Sequence, residues 1–325
     1  MTLNPSLDRT LWVDRLEPGS LHRVALSREH PSGKGVNVSL ALHAWGEPTR
    51  VCAVVGGRTG ERIRQALDRA GIPHDLVTCD GETRTNTKVI ERISGRLTEF
   101  NEPGPRVAPE IADQVMEAVA RGRKEASYVA LSGSLPPGVD PDCYKAMIER
   151  LKRGGPVALD ASGPALKEGI KAGPDLVKPN VEELESLAGK ELPRLEDRLW
   201  ALQRVHEMGV RMVALSMGPD GALFSDGRRV AWAKSEPVDV KSPVGCGDVL
   251  LAGLLFALKR SWDWSACARF AVAAATAAAM QEGTEPPPFS EVQAALDIVT
   301  VREGGWENGL KIDWVTARRD RAPGA

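Results

Sequence analysis

The stretch S-P-V-G-C-G-D-V-L-L-A-G, Ser242 to Gly253, sets a carboxylate between a glycine-bearing turn and an apolar helical run. Gly245 and Gly247 allow the backbone to bend sharply and to approach a ligand closely. A helix that starts near Asp248 turns unpaired N–H groups, and the positive end of its dipole, back onto that turn. Such a turn can hold an anion. An anion hole beside a carboxylate suits phosphoryl transfer: the N–H groups meet the charge of the migrating group, and Asp248 takes the acceptor's proton. The same aspartate would serve equally as a helix cap. From this stretch alone the two readings are evenly matched.

Other polar clusters recur along the chain. N-P-S-L-D, Asn4 to Asp8, is expected to follow the first strand. It offers a carboxylate to sugar hydroxyls, or is an ordinary strand-ending turn. In P-S-G-K-G-V-N-V, Pro31 to Val38, Gly33 and Gly35 permit close backbone approach. Lys34 adds a positive charge there, and Asn37 both donates and accepts. This is not a Walker A loop, because Gly35 stands where Ser or Thr is needed and Arg28 where the first glycine is needed. V-G-G-R-T-G, from Val55, fails the dinucleotide fingerprint at its first position, which counts against a dehydrogenase. Arg84, Asn86 and Lys88 alternate along an expected strand and so share a face, one suited to a phosphate already on the substrate.

L-S-G-S-L-P-P-G from Leu131 and D-A-S-G from Asp160 end strands and shape a site floor. K-P-N-V-E-E-L gathers Lys178, Asn180 and Glu183 near a helix start. Its lysine and asparagine suit phosphate, and its glutamate suits magnesium held through water. S-M-G-P-D-G-A, Ser216 to Ala222, is either a nucleotide contact or a hairpin turn. The five histidines show no metal-ligand spacing, and the eight tryptophans form no stacking array.

Positioning these groups requires a frame. Short β-type runs (50–55, 128–131, 157–159, 175–177, 212–215) alternate with helical patterns (36–45, 61–70, 109–121, 141–153, 195–208). Such alternation predicts an α/β fold: a doubly wound, mostly parallel sheet covered by helices on both faces, with ligands at the carboxyl ends of its strands. Residues 10–27 and 85–100 break the pattern and read as hairpins with turns at Pro18-Gly19 and Ser94-Gly95. We read them as a small antiparallel β-sheet lid, with segments at about 9–30 and 83–102. Its exposed edges suit pairing with a second copy. The main domain then spans 1–303, and 304–325 is a polar, poorly ordered tail.

Bulk composition narrows the class. The chain has 325 residues, of which 42% are hydrophobic, and a formal charge of −2. That balance disfavours nucleic-acid and membrane-surface partners. Five cysteines, an odd number with no C-x-x-C pair, fit reduced cytoplasmic thiols. No signal peptide is visible, and the alanine-rich run 266–280 reads as a buried helix rather than a membrane span.

Taken in order, N-P-S-L-D, S-G-K-G-V-N, T-R-T-N, L-S-G-S-L-P-P-G, K-P-N-V-E-E-L, S-M-G-P-D-G-A and V-G-C-G-D resemble the ribokinase-like (PfkB) carbohydrate kinases over residues 1 to about 300. The likeness is strongest to the branch acting on hexose phosphates, the 1-phosphofructokinases and tagatose-6-phosphate kinases. This resemblance implies a ribokinase-like fold whose lid often forms a homodimer interface. It also implies phosphorylation of a sugar phosphate by ATP with magnesium (Mg2+). The expected acceptor is fructose 1-phosphate, giving fructose 1,6-bisphosphate. Tagatose 6-phosphate and fructose 6-phosphate are alternatives, and a non-catalytic sugar-phosphate sensor is the reading from another class.

By motif match, Asp248 is the implied base, and the N–H groups of Gly245, Cys246 and Gly247 the anion hole. Lys178, Asn180, Glu183, Ser216, Gly218, Gly221 and Ser242 line the ATP and magnesium side. Asp8, Gly33, Lys34, Asn37 and Arg84 face the sugar phosphate. The chain departs from the family pattern at Cys246 (usually alanine), at Val249 and Ala161 (usually hydroxyl residues), and in beginning almost on N-P-S-L-D, so that either the first strand is short or the start is misplaced.

Overall fold

The computed structural model describes residues 1–306, 312 and 314–317. In chain order its elements are β1 (Ser6–Val13), β2 (Leu26–Ser32), α1 (Lys34–Ala44), β3 (Val51–Val55), α2 (Gly57–Ala70), β4 (His74–Thr78), β5 (Thr85–Glu91), β6 (Leu97–Phe100) and α3 (Pro109–Gly122). There follow β7 (Val129–Ser132), α4 (Cys143–Leu151), β8 (Val157–Asp160), α5 (Gly163–Ile170), β9 (Leu176–Val177), α6 (Val181–Ala188), α7 (Leu195–Glu207) and β10 (Met212–Ser216). The last are β11 (Ala222–Ser225), β12 (Arg229–Ser235), α8 (Cys246–Lys259), α9 (Trp264–Ala279), α10 (Phe289–Ala295), β13 (Val299–Gly305) and β14 (Val315–Thr316).

Strands β7, β8, β9 and β10 pair in parallel, and β10 to β14 continue the same sheet as an antiparallel edge. β3 and β4 form a separate parallel pair. Ahead of β1, residues 1–3 form no named strand, and Thr2 makes only an isolated parallel bridge with Ala53. Thr2 donates its N–H to Cys52 O at 3.0 Å, and Met1 O accepts from the Ser132 N–H at 3.0 Å, so this segment lies between β3 and β7. The parallel strands are buried on both faces, and successive side chains feed two cores. Val213 and Leu215 of β10 join one with Leu131, Leu159 and Val177, while Met212 and Ala214 join the other with Ala158 and Phe224. The first core is covered by α3, α4 and α7, the second by α8 and α9.

The alanine-rich run is α9, a buried helix, as its composition implied. Its small side chains allow close approach to α8: a Cβ added at Gly253 would sit 3.0 Å from Ala271 Cα. No helix among the described residues is long and apolar enough to cross a membrane.

A second sheet of four strands, in order β2-β1-β5-β6, stands apart. It consists of two antiparallel pairs, β1–β2 and β5–β6, joined by a parallel β1–β5 pairing that sequence periodicity did not reveal. The tail boundary also moves. β13 continues through Gly304 and Gly305, and Val315–Thr316 pairs back onto it as β14. Residues 307–311, 313 and 318–325 of the expected tail lie outside the described residues.

Gly33, which starts α1, joins this sheet to the main domain. It adopts φ 103°, and a Cβ there would fall 2.8 Å from Pro5 Cα. Gly33→Ala is therefore expected to cost about 1–3 kcal/mol of stability. Urea unfolding checks this, and an unchanged midpoint would contradict it.

Candidate active site

The carboxyl ends of β8, β9 and β10 and the first turns of α1 and α8 converge on one cluster. Gly245, in the left-handed region at φ 79°, starts α8, and Asp248 is the third helical residue. Asp248 is not the cap, since α8 has no side-chain capping bond. No described carbonyl accepts from the N–H groups of Gly245, Cys246 or Gly247, whereas those of Asp248 and Val249 both reach Gly245 O at 3.0 Å. The turn therefore presents three free donors at a helix N-terminus. Cys246 adds only its backbone there. Burial, reinforced by Asp248, pushes its thiol up to about 12.

Asp248 is 7% exposed. Its Oδ2 accepts from Asn37 Nδ2 at 2.7 Å. Burial, then the nearby charge of Asp160, pushes its carboxyl up to about 6; Asn37, Lys34 and Lys178 oppose that rise. Burial also works against the charge on Lys34, but Asp160 and Glu183 outweigh it and hold the ammonium above its ordinary value. Lys34 Nζ lies 2.8 Å from Asp160 Oδ1 and 3.7 Å from Glu183 Oε1. Lys178 Nζ is 3.4 Å from Asp160 Oδ2. A Cβ at Gly247 would come within 3.4 Å of the same ammonium, which places Lys178 against the glycine turn. Two lysines thus flank a fully buried aspartate beside three free N–H groups, a donor-rich, positively charged arrangement chemically suited to a polyanion, with the Asp248 carboxylate next to it.

Glu183 caps α6. Asn180 Oδ1 accepts from its N–H at 2.7 Å, and its Oε2 accepts from the Asn180 N–H at 2.9 Å. Oε1 makes no hydrogen bond and faces the Lys34 ammonium at 3.7 Å. Ser216 is joined to this segment: its N–H donates to Pro179 O at 3.0 Å, and it bridges Asn180. S-M-G-P-D-G-A is the hairpin turn between β10 and β11, with Gly218 and Gly221 at positive φ. A Cβ at Gly221 would lie 2.1 Å from Ala233 O. Ser242 is buried at the start of the glycine turn, and its Oγ accepts from the Val244 N–H at 3.3 Å.

On the small-sheet side, Asp8 is buried in β1 rather than in a strand-ending turn. Its Oδ1 accepts from Ser6 Oγ at 2.8 Å and from Asn86 Nδ2 at 3.3 Å. Its Oδ2 accepts from Ser32 Oγ at 2.8 Å and pairs with Lys88 Nζ. Ser32 Oγ also lies 3.3 Å from Asn37 Oδ1, so a polar chain runs from Asp8 through Ser32 and Asn37 to Asp248. Arg84, one residue before β5, is directed elsewhere: its guanidinium donates to Asn4 O at 2.9 Å and to Glu102 O at 3.1 Å, and its Nε is buried without a partner. Burial lowers its pKa. Of the strand face expected to carry Arg84, Asn86 and Lys88, only the last two meet Asp8.

The motifs place Lys88 on a phosphate-facing strand and Asp160 in the floor, but do not reveal the ion pairs these residues make with Asp8 and with Lys34 and Lys178. Lys34 is 126 positions away from Asp160 in sequence.

The family model described as "pfkB family carbohydrate kinase" matches residues 1–290. The chain is 34% identical to 1-phosphofructokinase from Rhodobacter capsulatus, over 93% of this chain and 96% of that protein. It is 33% identical to 1-phosphofructokinase from Escherichia coli K12, over 92% and 96%. Among solved structures, phosphofructokinase-2 from Escherichia coli in complex with substrates and products superposes with a TM-score of 0.85, at 30% identity, over 91% of this chain and 97% of that one.

Proposed function

The chain belongs to the pfkB family of carbohydrate kinases, and on that premise we propose that it transfers the γ-phosphoryl group of ATP to the free primary hydroxyl of fructose 1-phosphate. The observation that carries this reading is the buried Asp248, held by Asn37 at the glycine turn and raised to about 6. At neutral pH such a carboxylate is ionised, desolvated and ready to accept a proton. As the hydroxyl attacks, Asp248 takes its proton, while the N–H groups of Gly245, Cys246 and Gly247 with Lys34 and Lys178 meet the phosphoryl charge.

Lys178, Asn180, Ser216, Gly218, Gly221 and Ser242 lie along the nucleotide side. Asp8, Gly33, Lys34, Asn37 and Arg84 lie along the sugar side. The acceptor positions of Asp8 are filled, so a sugar hydroxyl that binds it displaces a serine hydroxyl. The carboxylate set fits magnesium held through water: Glu183 Oε1 makes no hydrogen bond and has only the Lys34 ammonium near it at 3.7 Å, and Asp160 Oδ2 is buried without a hydrogen bond, 3.4 Å from Lys178 Nζ. No cluster among the described residues holds a metal alone, so the ion would come with the nucleotide phosphates, whose charge it neutralises.

The small sheet acts as a lid that excludes water from the site. It exposes Leu21, Val24, Leu26, Ile93 and Phe100, which supports homodimer formation through that surface. Five free cysteines support a reducing, cytoplasmic setting.

Initial rates with ATP, magnesium and a panel of hexose phosphates test the assignment. The highest kcat/KM is expected for fructose 1-phosphate. The likeness to phosphofructokinase-2 from Escherichia coli, one structure of which is a complex with fructose 6-phosphate, makes that sugar the second reading, and preference for it or for an unphosphorylated sugar would overturn the first. Arg84 reaches a sugar phosphate only by leaving the carbonyls of Asn4 and Glu102; if it does so on binding, Arg84→Ala raises KM for the sugar phosphate roughly tenfold or more, and an unchanged KM removes Arg84 from that role.

The acid limb of kcat/KM is also fixed in sign. Below about 6 the Asp248 carboxyl is protonated and cannot accept a proton. Activity should then fall about tenfold per pH unit. A profile flat down to the ordinary carboxylate range, about 4, would contradict this.

A further inference from the structure

We propose that the end of the molecule opposite Asp248 carries a binding site for a small oxyanion, held by Arg211, Arg228 and the indole N–H of Trp264, beside an Arg229 already paired with Asp226. These residues line a cleft of about 710 Å³ together with Trp262. Arg211 immediately precedes β10 and Arg229 opens the antiparallel β12, so both sit at the end of the sheet away from Ser216. Trp262 and Trp264 follow α8, whose first turn carries Asp248. At about 1.5 Å per residue that helix separates the two sites by roughly 20 Å.

Trp264 is 5% exposed, and its Nε1–H has no acceptor. A buried indole N–H ordinarily finds one, and a ligand oxygen in the cleft would supply it. Trp264 is also the first residue of α9, so the positive end of a long helix dipole opens at the same place. The two carboxylates in the cleft are already committed. Asp263 accepts from the Ala266 N–H at 2.9 Å. Asp226 accepts from the Arg228 and Arg229 N–H groups at 3.0 and 2.7 Å and pairs with the Arg229 guanidinium. Arg211 and Arg228 have no acidic partner among the described residues. The cleft therefore has a net surplus of donors and positive charge, walled by two indoles. That chemistry suits a phosphate ester or a small carboxylate. None of these residues takes part in phosphoryl transfer, so the inference stands or falls separately from the kinase reading.

The test follows the Trp264 indole N–H by NMR in the 15N-labelled full chain, assigned with Trp264→Phe. Inorganic phosphate, citrate and AMP are titrated separately. A saturable shift with at least one of them is expected, weakened roughly tenfold or more in Arg211→Gln/Arg228→Gln, while kcat and KM of that variant stay at wild-type values. Response to phosphate alone marks a free oxyanion site, stronger response to AMP a phosphate ester with a ring against Trp262, and response to citrate a carboxylate site. An indole signal that none of the three moves, or that moves equally in the variant, overturns the proposal. If the double variant does not fold, Arg228→Gln, on an exposed turn, decides by the same criterion.

Discussion

Asp248→Asn is expected to lower kcat about 10²–10⁴-fold, the range a positioned general base contributes, with little change in KM for either substrate. The amide keeps the size of the side chain, and Asn37 can still meet its oxygen, so binding geometry should survive. Only the capacity to take a proton is lost. The alternative role for this residue, capping α8, predicts a different result: loss of stability with kcat nearly intact. That role is disfavoured already, because Asp248 makes no capping bond and Gly245 begins the helix. Steady-state kinetics together with thermal unfolding separates the two. A near-normal kcat in the folded variant would remove Asp248 from the reaction.

Asp160→Asn should have the second-largest effect, and on two observables. Asp160 is fully buried between Lys34 and Lys178. Neutralising one member of a buried charge group leaves the others uncompensated, a loss of about 3–5 kcal/mol. Lys34 is partly solvated, so the lower end of that range is expected. The charge of Asp160 also helps to raise the Asp248 carboxyl. Removing it should move the acid limb of kcat/KM to lower pH. Denaturant unfolding and a pH–rate profile check the two effects. A stable variant with an unmoved acid limb would show that the lysines are held by other groups.

The parts of the site that the sequence made legible are those where one short segment holds both the turn and the chemistry. Ser242 to Gly253 is such a segment, as is Lys178 to Leu184, whose asparagine and glutamate cap the helix they begin. The central parallel strands were legible for a related reason: burial on both faces leaves continuous apolar runs. What stayed hidden depends on pairing across the chain. Asp8 and Lys88 meet only because β1 and β5 run side by side in parallel, a register that neither segment states. Arg84 looked like a phosphate ligand by type, yet the backbone carbonyls of Asn4 and Glu102 already engage its guanidinium. The antiparallel edge was likewise obscured. In β13 the buried Val299 and Val301 alternate with exposed polar residues and lead into glycines, so its end resembled a tail by composition. Its partner β12 lies more than sixty positions away.

The central claim is that the turn Gly245–Gly247 receives the migrating phosphoryl group while Asp248 deprotonates the acceptor. It is tested most directly by a crystal structure with fructose 1-phosphate and a non-hydrolysable ATP analogue. The terminal phosphate should lie within hydrogen-bond reach of the three free N–H groups, and the free primary hydroxyl should face the Asp248 carboxylate. A terminal phosphate seated away from that turn, or a sugar whose acceptor hydroxyl points away from Asp248, would contradict the account.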